Sequence, residues 1–154
     1  MSGISLDFGS IPSVLNALRN PANDQLMANA AAESYTDDTL NWIAAGHSFT
    51  PRSGGGLEQS ISWLPLGGGR SVIYANKDYA LYMEEGTRAH VIAPKPGRKG
   101  LKIPVGGGGG FILRRKVNHP GTRPMPFFFA DMEARKEHLH ASAMSVLARA
   151  MANA

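Results

Sequence analysis

Apolar positions recur at three- and four-residue spacing near both ends of the chain and alternate with polar ones in between. Leu26, Ala30, Leu40 and Ile43, with Met27 and Ala31 alongside, share one face of a helix predicted over Asp24–Ala45. Asn23 or Asp24 serves as its cap and Gly46 ends it. At about 1.5 Å per residue such a helix is a rod about 33 Å long, enough to lie across a whole sheet. A shorter helix fits Ile11–Arg19, with Ser10 as N-cap, Pro12 tolerated in the first turn and Asn20-Pro21 as the break. The last helix spans about Phe128–Met151, with Met132, Leu139, Ala143, Val146, Leu147 and Ala150 as its inward stripe.

Between these helices the period shortens. Leu57–Leu64 roughly alternates, Ser71–Ala75 is β-branched and aromatic, and Pro65–Gly69 supplies a hairpin turn. Tyr79–Glu84 fits either an extended run or a single helical turn, and short strands fit Val91–Ala93, Leu101–Val105 and Phe111–Asn118. Helices, strands, then a helix, without internal repeat or linker, predict one α+β domain over residues 1–154. Its N-terminal helices and long C-terminal helix pack on a small, mostly antiparallel β-sheet with extended hairpin loops.

Composition sharpens this picture. A chain of 154 residues, 43% hydrophobic and 18% charged, is long enough for one real core and is globular rather than disordered. The absence of cysteine excludes a disulfide framework and a thiolate metal site. Met1–Ser10 lacks the basic start and apolar run of a signal peptide, and no apolar stretch approaches about 18 residues, so neither secretion nor a membrane is expected.

Charge is segregated. Between Gly86 and Ala130 stand nine basic residues, Arg88, Lys95, Arg98, Lys99, Lys102, Arg114, Arg115, Lys116 and Arg123, and no acidic one. The remainder holds seven Lys/Arg against all twelve Asp/Glu, so a net −5 accompanies the +9 of this stretch. Such a segment becomes favourable when it faces an acidic partner, either nucleic acid or another protein surface.

Catalytic chemistry finds little support. Gly106–Gly110 runs into the apolar Phe111-Ile112-Leu113 rather than into Lys-Ser/Thr and a helix, so it reads as a hairpin tip and not a phosphate cradle. His138 and His140 lie two apart on a helix, on nearly opposite faces, whereas metal ligands there need three- or four-residue spacing. Glu133, Glu137 and His140 read as a solvent-facing stripe, and His47 sits just past a helix end, where positive charge is welcome. His90 and His119 lie inside the basic stretch, within reach of a phosphate or a carboxylate. Glu84-Glu85 is too local for a catalytic carboxylate pair, and no Gly-x-Ser-x-Gly elbow occurs. No catalytic residue, cofactor site or metal site is therefore expected.

Three segments carry a more specific signal. They are Phe49-Thr50-Pro51-Arg52-Ser53-Gly54 with Leu57, Ser60 and Ile61; Tyr79-Ala80-Leu81-Tyr82-Met83-Glu84-Glu85-Gly86-Thr87; and Asn118-His119-Pro120-Gly121-Thr122-Arg123-Pro124-Met125-Pro126-Phe127-Phe128. In order and spacing they resemble the tail-completion and neck family of long-tailed double-stranded DNA phages, small morphogenesis proteins of the virion. The resemblance runs from about Phe49 to the end, departing from the family pattern in the extra glycines of Gly54–Gly56 and Gly106–Gly110. It implies a non-enzymatic ring subunit, hexameric or dodecameric, that closes the tail tube or joins it to the portal-connector complex. The implied partners are adjoining connector or stopper and tail tube proteins, with transient contact to genomic DNA. The implied location is the head–tail junction of the virion, reached from the host cytoplasm.

In such a ring Tyr79, Tyr82, Phe127 and Phe128 are candidate interface aromatics, with apolar bodies and, in the tyrosines, polar tips. Arg88, Lys95, Arg98, Lys99, Lys102, Arg114, Arg115 and Lys116 are candidates for a subunit contact or a DNA-facing lumen. Gly86, Thr87, His119, Pro120, Gly121 and Thr122 are the turn residues of the motifs. The acidic helix around Glu33, Asp37 and Asp38 is the expected counterpart of the basic hairpin. The alternative is a basic nucleic-acid-binding protein acting outside a virion, favoured by the same cations but lacking a recognition helix or aromatic platform.

Overall fold

The computed structural model describes residues 11–50, 56–105 and 109–153, with only the backbone of 11–14. Helix α1 (Ile11–Arg19) is followed at once by α2 (Pro21–Ala44). A 3-10 turn (Glu58–Ser60) leads into strands β1 (Ile61–Gly67) and β2 (Arg70–Ala75). Helix α3 (Ala80–Glu85), strands β3 (His90–Ile92), β4 (Leu101–Pro104), β5 (Phe111–Arg114) and β6 (Val117–His119), and the long α4 (Met132–Ala152) complete the order. The class is α+β. The strands form three separate two-stranded antiparallel pairs, β1–β2, β3–β6 and β4–β5, rather than one sheet.

The chain divides into two compact units, Met1–Ala80 with Pro126–Ala154, and Leu81–Met125. In the first, the helical unit, α2 packs against α4 and against the β1–β2 pair. Ala32, Tyr35, Ile43, Leu57, Ile61, Phe127, Ala130 and Leu147 are its large or central buried apolar residues. The buried hydroxyls of Thr36 and Thr39 stay satisfied by donating to the carbonyls of Ala32 and Tyr35, each at 2.8 Å. Gln25 Nε2 reaches the Arg70 carbonyl at 3.1 Å, and Ser71 Oγ bonds Asn29 Oδ1 at 2.8 Å, fixing β2 along the first half of α2.

Several sequence expectations shift in detail. Asn20 does not end one helix so much as begin the next: its side chain accepts from the Ala22 N–H at 3.0 Å and Pro21 takes the first helical position. Helix α2 therefore starts three residues before Asp24, although Gly46 follows its end as expected, at φ +77°. Its buried face is Asn23, Ala32, Tyr35, Thr36, Thr39 and Ile43, so only Ile43 of the expected set is buried, and Leu26 points to solvent. The stripe of α4 is correct in position but mostly half-buried, Leu147 being its buried member; Arg135, not among its expected residues, is buried as well. The predicted strand Phe111–Asn118 divides at Arg115-Lys116, because its halves pair with different strands, β5 with β4 and β6 with β3. Ser10, Pro51–Gly55 and Gly106–Gly108 lie outside the described residues.

Candidate functional site

The second unit, Leu81–Met125, brings two of the three motif segments together. Thr87 N–H donates to the Thr122 carbonyl at 3.0 Å, and Thr122 N–H donates back to the Thr87 carbonyl at 3.1 Å and to Thr87 Oγ1 at 3.0 Å. The two threonine hydroxyls are themselves 3.0 Å apart, and Met125 N–H reaches the Met83 carbonyl at 2.8 Å. Gly86 and Gly121 make this approach possible. Both have positive φ, +72° and +89°, and a Cβ on either would collide with the opposite backbone, at the Thr122 carbonyl and the Thr87 carbonyl respectively.

Three residues further on, the β3–β6 pair sets His90 opposite His119 with rings stacked at 5.1 Å. His119 Nδ1 accepts from the Gly121 N–H at 3.0 Å, which assigns its ring proton to Nε2. His90 Nδ1 donates to the Arg88 carbonyl at 2.8 Å. His119 thus braces the Pro120-Gly121 turn, and the two imidazoles stack on each other. Gly86, Thr87, Gly121 and Thr122, with His119 bonded to the turn that Pro120 enters, form one clamp that sets the backbone geometry.

Beyond the clamp lie the two ribbons β3–β6 and β4–β5. Not one described residue of Leu81–Met125 is buried. In the β4–β5 register Lys102 faces Leu113 and Pro104 faces Phe111, and opposite residues share a face. That face is open to solvent, Phe111 being 53% and Leu113 57% exposed, and Lys102 Nζ lies 4.5 Å from the Phe111 ring centre. On the other face Leu101 and Ile103 are half-buried while Ile112 and Arg114 are exposed. Val91 and Ile92 of β3 are exposed as well.

The cations surround these apolar strands. Arg88, Lys95, Arg98, Lys99, Lys102, Arg114, Arg115, Lys116 and Arg123 are all exposed, and none has an ion-pair partner among the described residues. With only Glu84 and Glu85 as acids, the unit carries a net +7.

The aromatic candidates divide. Tyr79 and Tyr82 are exposed, as an interface role requires. Phe127 is not available for one: at 1% exposure it is among the most deeply buried side chains of the helical unit, with the Phe49 ring edge-on at 5.7 Å. Phe128 is half-buried against Tyr35, ring centres 5.9 Å apart. The phenylalanine that projects outward is Phe129, 64% exposed, the neighbour of the two expected candidates.

A second feature escaped the sequence reading. Arg135 on α4 is only 3% exposed and has no carboxylate partner among the described residues. Its Nη1 donates to the Phe128 carbonyl at 2.7 Å and to Thr39 Oγ1 at 3.1 Å, and its guanidinium lies over the Tyr35 and Trp42 rings. Tyr35 Oη donates to the same Phe128 carbonyl. The signal was present, since Arg135 falls between Met132 and Leu139 on the apolar stripe. Arg135 also lines an open cleft of about 320 Å³ between α2 and α4, with Asp38, Trp42 and His138. There His138 Nδ1 lies 3.0 Å from Asp38 Oδ2.

Among the described residues no three His, Asp or Glu side chains gather as a metal set, and no helix is long and apolar enough to cross a membrane. No family model, curated protein or solved structure matches the chain.

Proposed function

We propose that this protein is a non-enzymatic structural subunit of a phage virion, acting as a ring at the head–tail junction that closes the tail tube or joins it to the portal-connector complex. The motif resemblance supplies the setting. The observation that carries the assembly role is the open β4–β5 ribbon, whose apolar face has no covering layer among the described residues of its own unit. Two-stranded ribbons are marginal in water, and aliphatic surface left open on one is stabilised when another subunit covers it. Heterologous packing, one surface of each copy on a different surface of the next, closes such contacts into a ring. Exposed Tyr79, Tyr82 and Phe129 add aromatic area for neighbours.

The second reading, a nucleic-acid-binding protein outside the virion, draws on the nine cations without ion-pair partners among the described residues. Two measurements separate the readings. Peptide mass spectrometry of purified virions is expected to find the protein, and sedimentation of the purified chain is expected to show a closed oligomer at high concentration. Absence from virions, together with sub-micromolar binding of duplex DNA by the monomer, would favour the second reading.

A further inference from the structure

Resting on the assembly reading above, the geometry points to a specific contact: the β4–β5 ribbon is an arm that lies along the outer face of α2 on a second copy of this chain. The arm has two chemistries in sequence. Phe111, Leu113 and Pro104 present apolar surface toward the glycine tip, and Arg115 and Lys116, with Arg114 on the opposite face of the ribbon, form a cationic root where the ribbon ends. On α2, the exposed residues Leu26, Glu33 and Asp37 repeat that order, apolar then anionic. Their spacing of seven and four residues places them on one side of the helix.

The lengths agree. Phe111 to Arg115 spans about 14 Å of extended chain, and Leu26 to Asp37 about 16 Å of helix. Neither Glu33 nor Asp37 has an ion-pair partner among the described residues, and neither do the root cations. Charges left unpaired on both surfaces find their complements when the two meet.

Other occupants fit less well. Two arms cannot face each other, because each brings cations and no acid between Gly86 and Ala130. Duplex DNA would satisfy Arg114, Arg115 and Lys116 but offers phosphates and sugars to Phe111 and Leu113, leaving their apolar area wet. An apolar centre ringed by charge is the arrangement of protein–protein contacts. Because arm and receiving helix are different surfaces, the contact is heterologous and propagates from copy to copy.

A charge swap on the full-length chain tests this, read by sedimentation equilibrium with circular dichroism confirming the fold. R114E/R115E and E33R/D37R, each alone, are expected to weaken self-association at least ~30-fold, the range for losing charged pairs across an interface. Mixing the two variants, or combining all four changes in one chain, is expected to restore association. If either variant assembles like the wild type, or the combined variant fails to recover, the arm–α2 contact is wrong while the ring reading stands. If R114E/R115E loses duplex DNA binding but keeps its assembly, the arm faces DNA and the contact is likewise overturned. A wild-type chain that stays monomeric up to millimolar concentration removes the assembly reading itself.

Discussion

Gly121 and Gly46 both sit at positive φ, yet a methyl group would meet very different surroundings at the two. At Gly46 nothing lies within 4 Å, whereas at Gly121 the new carbon would fall on the Thr87 carbonyl. Gly46→Ala should therefore cost about 1 kcal/mol, the left-handed penalty alone. Gly121→Ala should cost at least ~2 kcal/mol and expose the β3–β6 amides, which hydrogen exchange of His90–Ile92 and Val117–His119 reads directly. Arg135 gives a second residue-scale prediction. Arg135→Ala leaves the Phe128 carbonyl and the Thr39 hydroxyl without that donor and opens a cavity, for an expected loss of about 2–4 kcal/mol in chemical denaturation. Arg135→Met keeps the volume and should lose less. Some of this was readable in advance. The Gly86-Thr87 and Gly121-Thr122 dipeptides are visible in the sequence, but that they touch is a long-range fact no local pattern encodes. Phe127, Phe128 and Phe129 are chemically identical, and only the turn entering α4 decides which one is buried.

Elements follow the periodicity more faithfully than their faces do. Helix α2 was legible as a long helix, yet its buried face includes Asn23, Thr36 and Thr39, which a hydrophobicity count places outside. These polar residues are buried because each is satisfied locally, Asn23 by donating to the Ala17 carbonyl at 2.8 Å and the threonines within their own helix. Asn20-Pro21 illustrates a dipeptide with two readings. The residue that stops α1 also caps α2, so the helices abut without a loop. Asn20→Ala removes the acceptor of the Ala22 N–H and should destabilise the helical unit by about 1 kcal/mol, measured as a lower thermal midpoint with native helix content retained. The single strand expected over Phe111–Asn118 is two strands for a related reason. Continuous strand propensity cannot reveal that Arg115-Lys116 is where the chain exchanges one partner strand for another.

At the scale of the whole molecule the two units differ in kind. The helical unit has a closed core and is net acidic; the ribbon unit has no buried residue among those described and a net +7. The +9 stretch was fully legible in the sequence, whereas the lack of a core beneath it was not, since its Phe, Ile, Leu and Val residues read like ordinary inward strand positions. If aliphatic contact and charge pairing both hold the assembly together, raising salt from about 0.1 M to 1 M shortens the screening length from ~10 Å to ~3 Å and should weaken self-association only about tenfold. Binding dominated by phosphates would instead collapse over the same range. Sedimentation across a salt series distinguishes the two slopes. The Thr87–Thr122 ladder and the Met83–Met125 bond also mean that the two ends of the stretch 88–121 are held side by side. What lies between them can be pruned. A chain in which residues 88–121 give way to a short Gly-Ser bridge should keep the melting behaviour of its helices. If the proposed arm contact holds, such a pruned copy added to intact protein would accept a neighbour but extend nothing onward, and so would stop a growing ring.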